Sequence, residues 1–213
     1  MGISERKERE KEQRRQWIID AAEKVIFSKG LAFATMDEIA AVAEFSKGAL
    51  YLYFKNKEDL YLSIHARGAR ILREMFEKAA SEHKKGIDQV LAIGYAYYEY
   101  SKKYSDYYNA MIYYESHPIE LDEESTCAIE CMEAGEAVLR VLANSVQKGI
   151  DDRSIRPDVD PFKTALILWG QSMGVIQLQS LKGENIGERF DINFEELIDT
   201  CYQMMRKSLV NEN

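Results

Sequence analysis

Helix-breaking residues are scarce in this chain, with only three prolines and twelve glycines among 213 residues. Proline removes a backbone donor and glycine costs conformational entropy, so such a chain suits long uninterrupted helices. Cysteine is scarce too: Cys127, Cys131 and Cys201 are an odd set without zinc-ligand spacing, which argues against a disulfide framework. No apolar run approaches the length of a membrane span, and the charged stretch from Glu5 to Lys11 is not followed by the apolar core of a signal peptide. The expectation is a cytoplasmic protein with no membrane partner.

Catalytic chemistry is missing as well. His65, His83 and His117 are scattered, with no paired carboxylates, nucleophile-base pattern or phosphate loop around them. The loop from Asp151 to Asp160 lacks the glycine at position six and the glutamate at position twelve that a calcium loop needs. The chain is therefore read as a non-enzyme without cofactor or metal. Cys127 and Cys131 lie one helical turn apart, so either a redox or metal switch or plain core packing fits them.

What the sequence does have is helical periodicity. A stripe at Trp17, Ile18, Ala21, Ala22, Val25 and Ile26 ends at Gly30, and the charged residues before it could extend this first helix as a solvated end or an arm. Asn56 with Asp59 forms a capping box that opens a long helix to about Ser81. Lys84-Lys85-Gly86 breaks the pattern; residues 87–116 make one or two helices with Ser105 as a cap between them, and His117-Pro118 is a stop before an acidic loop. A helix over 125–148 ends at Gly149, Asp160-Pro161 opens another to Lys182, and Asn193 with Glu196 caps a last one through Leu209. The fold class is all-α.

Between the first and the long helix, Thr35 caps a segment with Met36, Ile39, Ala40 and Ala43 at helical spacing, and Ser46 caps a second with Leu50 and Phe54. So short a turn makes the second helix cross the first and project from it, with Lys47, Gly48, Tyr51 and Lys55 on its outer side. Charge is compatible with such a head meeting DNA although the whole chain is at -8. Residues 1–57 hold eleven Lys/Arg against nine Asp/Glu, which leaves 17 against 27 in the remainder.

The pattern Thr-x-x-x-Ile-Ala, then Ser-Lys-Gly-x-Leu-Tyr-x-Tyr-Phe, then Lys-x-x-Leu resembles the DNA-binding domain of the TetR/AcrR family over residues 12–72, with the motif at 35–54. Many members carry Ala-Gly-Val-Ser at the turn, where this chain has Ala43-Glu44-Phe45-Ser46. Glu44 lacks the freedom of glycine for a left-handed backbone and brings a negative charge to the DNA side. The resemblance implies a three-helix DNA-binding head and a larger helical body over 73–213 for ligand binding and dimerisation, about nine helices in all. It implies a double-stranded DNA operator read by the third helix, with Lys47 and Ala49 at base edges, Gly48 allowing close approach and Ser46 at the helix start. Thr35, Tyr51, Tyr53 and Lys57 would hold phosphates, and packing on the linker helix is an alternative role for Tyr53.

The helix from Pro161 is apolar on much of its circumference, so it must be covered on more than one side. Together with the family resemblance this makes residues 161–182 and 194–209 the expected homodimer interface, the alternative being closure of the monomer's own core. Nine tyrosines crowd residues 95–114, and each buried hydroxyl needs a partner. Tyr97, Tyr104, Tyr108 and Met111, with Met132, Trp169, Met173 and Gln177, could line a cavity for a small organic effector; Glu99, Glu115 and Glu133 would favour a cationic one, and ordinary helix seams are the competing reading. The expected function is a ligand-responsive transcriptional regulator, a repressor released from a palindromic operator by its effector. The alternative is a helical small-molecule-binding protein with weak or no specific DNA binding.

Overall fold

The structure, a computed structural model, describes residues 2–116 and 125–211, with the backbone alone at residues 3 and 181–186. Among the described residues run nine helices: α1 Ile3–Lys29, α2 Met36–Ala43, α3 Lys47–Tyr51, α4 Lys57–Ser81, α5 Gly86–Lys103, α6 Ser105–Ser116, α7 Thr126–Asp151, α8 Pro161–Phe190 and α9 Phe194–Leu209. The all-α expectation holds. The charged tail does extend α1, with Arg6 and Glu10 paired one turn apart at 2.8 Å. Asp160 opens α8 by accepting the Lys163 amide at 2.8 Å, and Asn193 opens α9 by accepting the Glu195 amide at 2.8 Å. The expected stop at His117-Pro118 and the acidic loop after it lie outside the described residues.

Three boundaries depart from the local pattern. The break between α5 and α6 falls on Tyr104, with φ -121° and ψ 46°, so Ser105 is the first residue of α6 and not a cap before it. Gly149 does not end α7. A Cβ on it would lie 2.4 Å from Ile155 Cδ1, and one on Gly86 would lie 2.0 Å from the Gly149 nitrogen, so both glycines serve close packing rather than a turn. Helix α8 continues past residue 182 to Phe190, where Asp191 takes a left-handed conformation and its amide bonds to the Gly187 carbonyl.

The helices fall into two compact units. Unit 1 comprises Met1–Gly68 and Asn109–Ala134, and unit 2 comprises Ala69–Tyr108 and Gly135–Asn213. The described residues of 109–134 thus group with α1 and α4, whereas a boundary at residue 72 assigns them to the body. The reason is a set of long-range polar bonds: the Tyr61 hydroxyl donates to the Ala110 carbonyl, and Arg15 pairs with Glu130 at 2.8 Å.

In unit 1, α1 packs on α2 and α2 on α3 around Ile18, Ala22, Ile26, Ile39, Leu50 and Phe54, none more than 4% exposed. Burying each of the five larger side chains stabilises the fold by roughly 1.5–3 kcal/mol. Arg67 on α4 ties that helix to α1 by bonds to Asp20 at 2.7 Å, Glu23 at 2.8 Å and Gln16 at 2.6 Å. In unit 2, α5 packs on α8 and α9, and the Tyr202 hydroxyl donates to the Gly94 carbonyl at 2.7 Å. Its aromatic rings meet one another. The Tyr97 ring centre lies 6.2 Å from that of Phe76 and 5.9 Å from that of Tyr108, both edge-on, and Tyr100 lies 5.6 Å from Tyr104.

Candidate nucleic-acid interface

The helix-turn-helix is built by caps whose chemistry is local. Thr35 Oγ1 accepts the Glu38 amide at 3.3 Å while the Glu38 carboxylate accepts the Thr35 amide at 3.2 Å, a reciprocal capping box. Glu38 is further bound by Lys29, and that bond first, with Thr35 second, holds its carboxyl below the ordinary range. The Thr35 hydroxyl also donates to Glu38 Oε2 at 2.9 Å, so the group expected to hold a phosphate is engaged in the cap. At the turn, Glu44 takes φ 60° and ψ 33°, and the Phe45 amide bonds to the Ala40 carbonyl at 3.0 Å. The left-handed conformation expected to favour glycine is thus adopted by a glutamate, at a cost of about 1–2 kcal/mol. Ser46 Oγ then accepts the Ala49 amide at 3.2 Å and starts α3.

One side of α3 is buried and the other open. Leu50 is fully buried, while Lys47, Gly48 and Tyr51 are exposed and Ala49 and Tyr53 are half-buried. A Cβ built on Gly48 would meet nothing within 4 Å. Packing in the free chain therefore does not demand glycine there, although glycine in a helix costs about 1 kcal/mol relative to alanine. Lys47 pairs with Asp37 on α2 at 2.7 Å, and this bond holds its ammonium above the ordinary range. The Lys57 ammonium donates to the carbonyls of Leu31 at 3.0 Å and Ala32 at 3.4 Å, so it fastens the loop after α1. Thr35, Ser46, Lys47, Gly48, Ala49, Tyr51, Tyr53 and Lys57 all lie in unit 1. Asp37 and Arg15 escaped sequence reading, and Asp59 is legible there only as part of a cap, because their other partners lie outside local spacing.

The residues read as an effector lining are divided. Tyr97, Tyr104, Tyr108, Trp169, Met173 and Gln177 belong to unit 2, whereas Met111 and Met132 belong to unit 1. Tyr97 and Tyr108 are buried in the aromatic core; Tyr104, Trp169, Met173 and Gln177 are half-buried. Glu99 is engaged by Lys102 at 2.6 Å, and the Lys102 ammonium lies 4.3 Å from the centre of the Tyr98 ring. No group of three or more metal-binding side chains occurs among the described residues, and no helix there is long and apolar enough to cross a membrane.

Residues 18–64, from the middle of α1 into α4, match the family model for bacterial regulatory proteins of the tetR family. The chain is 28% identical over 160 residues to the uncharacterized HTH-type transcriptional regulator YhgD of Bacillus subtilis, covering 73% of this chain and 78% of that one. Its fold is shared with the transcriptional regulator FadR from Bacillus subtilis, solved in complex with stearoyl-CoA, at a TM-score of 0.66, 19% identity and coverage of 89% and 96%. It is shared equally with SmeT, the repressor of the Stenotrophomonas maltophilia multidrug efflux pump SmeDEF, also solved with triclosan, at a TM-score of 0.69, 19% identity and coverage of 93% and 91%. The match falls on the capped helix pair and its open face, so residues 18–64 form a helix-turn-helix head similar to that of the tetR family of bacterial regulatory proteins.

Proposed function

We propose that the chain is a repressor that binds a palindromic DNA operator as a homodimer and is released from it by a small organic effector. The open side of α3 carries this reading. Gly48 has no packing reason in the free chain, and beside it Lys47, Ala49 and Tyr51 offer an ammonium, a methyl and a phenol to the edges and phosphates of a major groove. Lys57 keeps one of its three N–H groups for a phosphate while two face carbonyls. Residues 12–72 are proposed as the DNA-binding domain and 73–213 as the body.

One recognition helix grips too little DNA for useful specificity, and unit 2 supports a second copy. On α8, Ile167 is 61% exposed, Leu166 43% and Leu178 44%, and on α9 Met204 is 66% exposed. Gly170 and Gly174 lie one turn apart between Ile167 and Leu178, with open space where a Cβ would stand. An apolar stripe with two small residues at its centre suits close packing against its symmetry mate through residues 161–182 and 194–209. Sedimentation should give twice the chain mass for the wild type and a monomer for Ile167→Asp.

For the effector, Tyr104, Trp169, Met173 and Gln177 combine accessible aromatic, thioether and amide surface in unit 2. FadR and SmeT were solved with an acyl-CoA and a chlorinated phenol, which supports apolar organic probes of these kinds. With Trp17→Phe leaving Trp169 as the only tryptophan, triclosan or stearoyl-CoA should change its emission and release DNA in parallel. A change in emission without release would contradict an allosteric repressor. The Asp37–Lys47 pair favours the rival reading, a small-molecule-binding protein whose head holds DNA weakly, and measured operator affinity separates the two.

A further inference from the structure

Asp59 uses both of its carboxylate oxygens. Oδ2 accepts the amide of Lys55 at 3.0 Å, and Oδ1 accepts the hydroxyl of Ser125 at 2.9 Å. Both acid and hydroxyl are buried, Asp59 being 7% exposed and Ser125 5%. Ser125 opens α7, since its carbonyl accepts the Ile129 amide at 3.0 Å. Hydrogen bonds onto a buried carboxylate are among the strong ones, so the start of α7 is fastened through Asp59 to the turn that follows α3.

A second route reaches the same turn. Glu130, in the first turns of α7, pairs with Arg15 at 2.8 Å, and the Arg15 guanidinium carbon lies 5.5 Å from the centre of the Phe54 ring. Phe54 is 1% exposed. Phe54 and Lys55 are consecutive, and the amides of Tyr53 and Phe54 both bond to the Leu50 carbonyl in α3, at 3.0 Å and 3.1 Å. Two separate polar routes from α7 therefore end on one dipeptide that is itself hydrogen-bonded to the recognition helix.

We propose that Ser125 and Glu130 are positioning residues for DNA binding, acting through Asp59 and Arg15 on the turn at 54–55 to hold α3 in the attitude a major groove accepts. Neither touches DNA. A recognition helix held rigidly before binding loses less freedom on binding, so the clamp strengthens the complex without adding a contact.

This rests on the DNA-binding reading, and the test keeps the two apart. The full-length wild type is used to select a duplex from a randomised pool, and variants are titrated against that duplex by fluorescence anisotropy over a range of salt. Ser125→Ala and Glu130→Gln are each expected to weaken binding about tenfold. Their slope of log affinity against log salt should stay that of the wild type, because no phosphate contact is lost. Ser125→Thr, which keeps the hydroxyl, should restore affinity, and the Lys55 amide should exchange faster in Ser125→Ala. Variants that bind as the wild type does, even with a lowered melting temperature, would overturn the proposal and leave the DNA-binding reading intact. Weakening with a shallower salt slope would overturn it too, by pointing to lost phosphate contacts. A wild type that selects no duplex would remove both readings together.

Discussion

The Lys47 ammonium lies 2.7 Å from an Asp37 carboxylate oxygen, so the first residue of α3 meets the first turn of α2 through an exposed ion pair. An ammonium directed at a base or phosphate must leave that partner or share it. Asp37→Ala is accordingly expected to raise affinity for duplex DNA by roughly two- to fivefold at low salt, with the gain fading as salt screens it. Anisotropy titration of the variant checks this, and weaker binding would mean that the pair belongs to the bound arrangement.

Gly48 separates stability from function. Gly48→Ala adds a methyl to open space in a helix, so the fold should gain up to about 1 kcal/mol and the melting temperature should rise by roughly 2–4 °C. On the proposed reading the same methyl stands where the backbone approaches DNA, and affinity should fall about tenfold or more. Thermal melts and titrations on one preparation would show both effects, and undiminished affinity would take Gly48 off the DNA surface.

At the turn, Glu44 carries a left-handed backbone with φ 60°. Glu44→Gly should stabilise the chain by about 1 kcal/mol in denaturant unfolding, since glycine bears that conformation without a Cβ clash. It also removes a negative charge from the side proposed to face DNA, so affinity should rise and not fall. A loss of stability would show that the Glu44 side chain compensates its own strain.

His65 gives the fold an acid-side limit. Its Nδ1 lies 3.3 Å from Cys131 Sγ, its ring centre is 4.7 Å from that of Tyr114, and its Nε2 is buried without a hydrogen-bond partner among the described residues. Burial pushes its pKa down from 6.5 to about 4. Between these values the unfolded chain binds a proton that the folded chain refuses, so this contribution is full above the unfolded value and lost as pH falls towards 4, on the order of 3 kcal/mol. His65→Leu should flatten this part of the stability profile between pH 7 and 4.5, measured by denaturant unfolding; an unchanged difference from the wild type across that range would refute it.

Local chemistry made most of the fold legible. Thr35, Ser46, Asp160 and Asn193 cap helices with amides two or three residues away, and such bonds can be anticipated from spacing alone. What spacing does not encode is contact across the chain. Gly149 reads as a stop but serves packing against Ile155, and Lys57 bonds to carbonyls 25 and 26 residues earlier. Ser125 and Asp59 are 66 residues apart, and nothing in either's neighbours announces the bond. The tyrosine crowd fits either a cavity lining or ordinary helix seams by sequence, and Tyr97, Tyr100 and Tyr108 are each at most 3% exposed. Tyr97 meets Phe76 and Tyr108 edge to face, and Tyr100 meets Tyr104 at a tilt.

Competition between the selected duplex and random duplex across a salt series shows whether the open side of α3 reads DNA. Binding is expected to be about a thousandfold tighter to the selected duplex, falling with salt at a log-log slope of about -5 or steeper. Equal affinity for selected and random duplexes would contradict that reading.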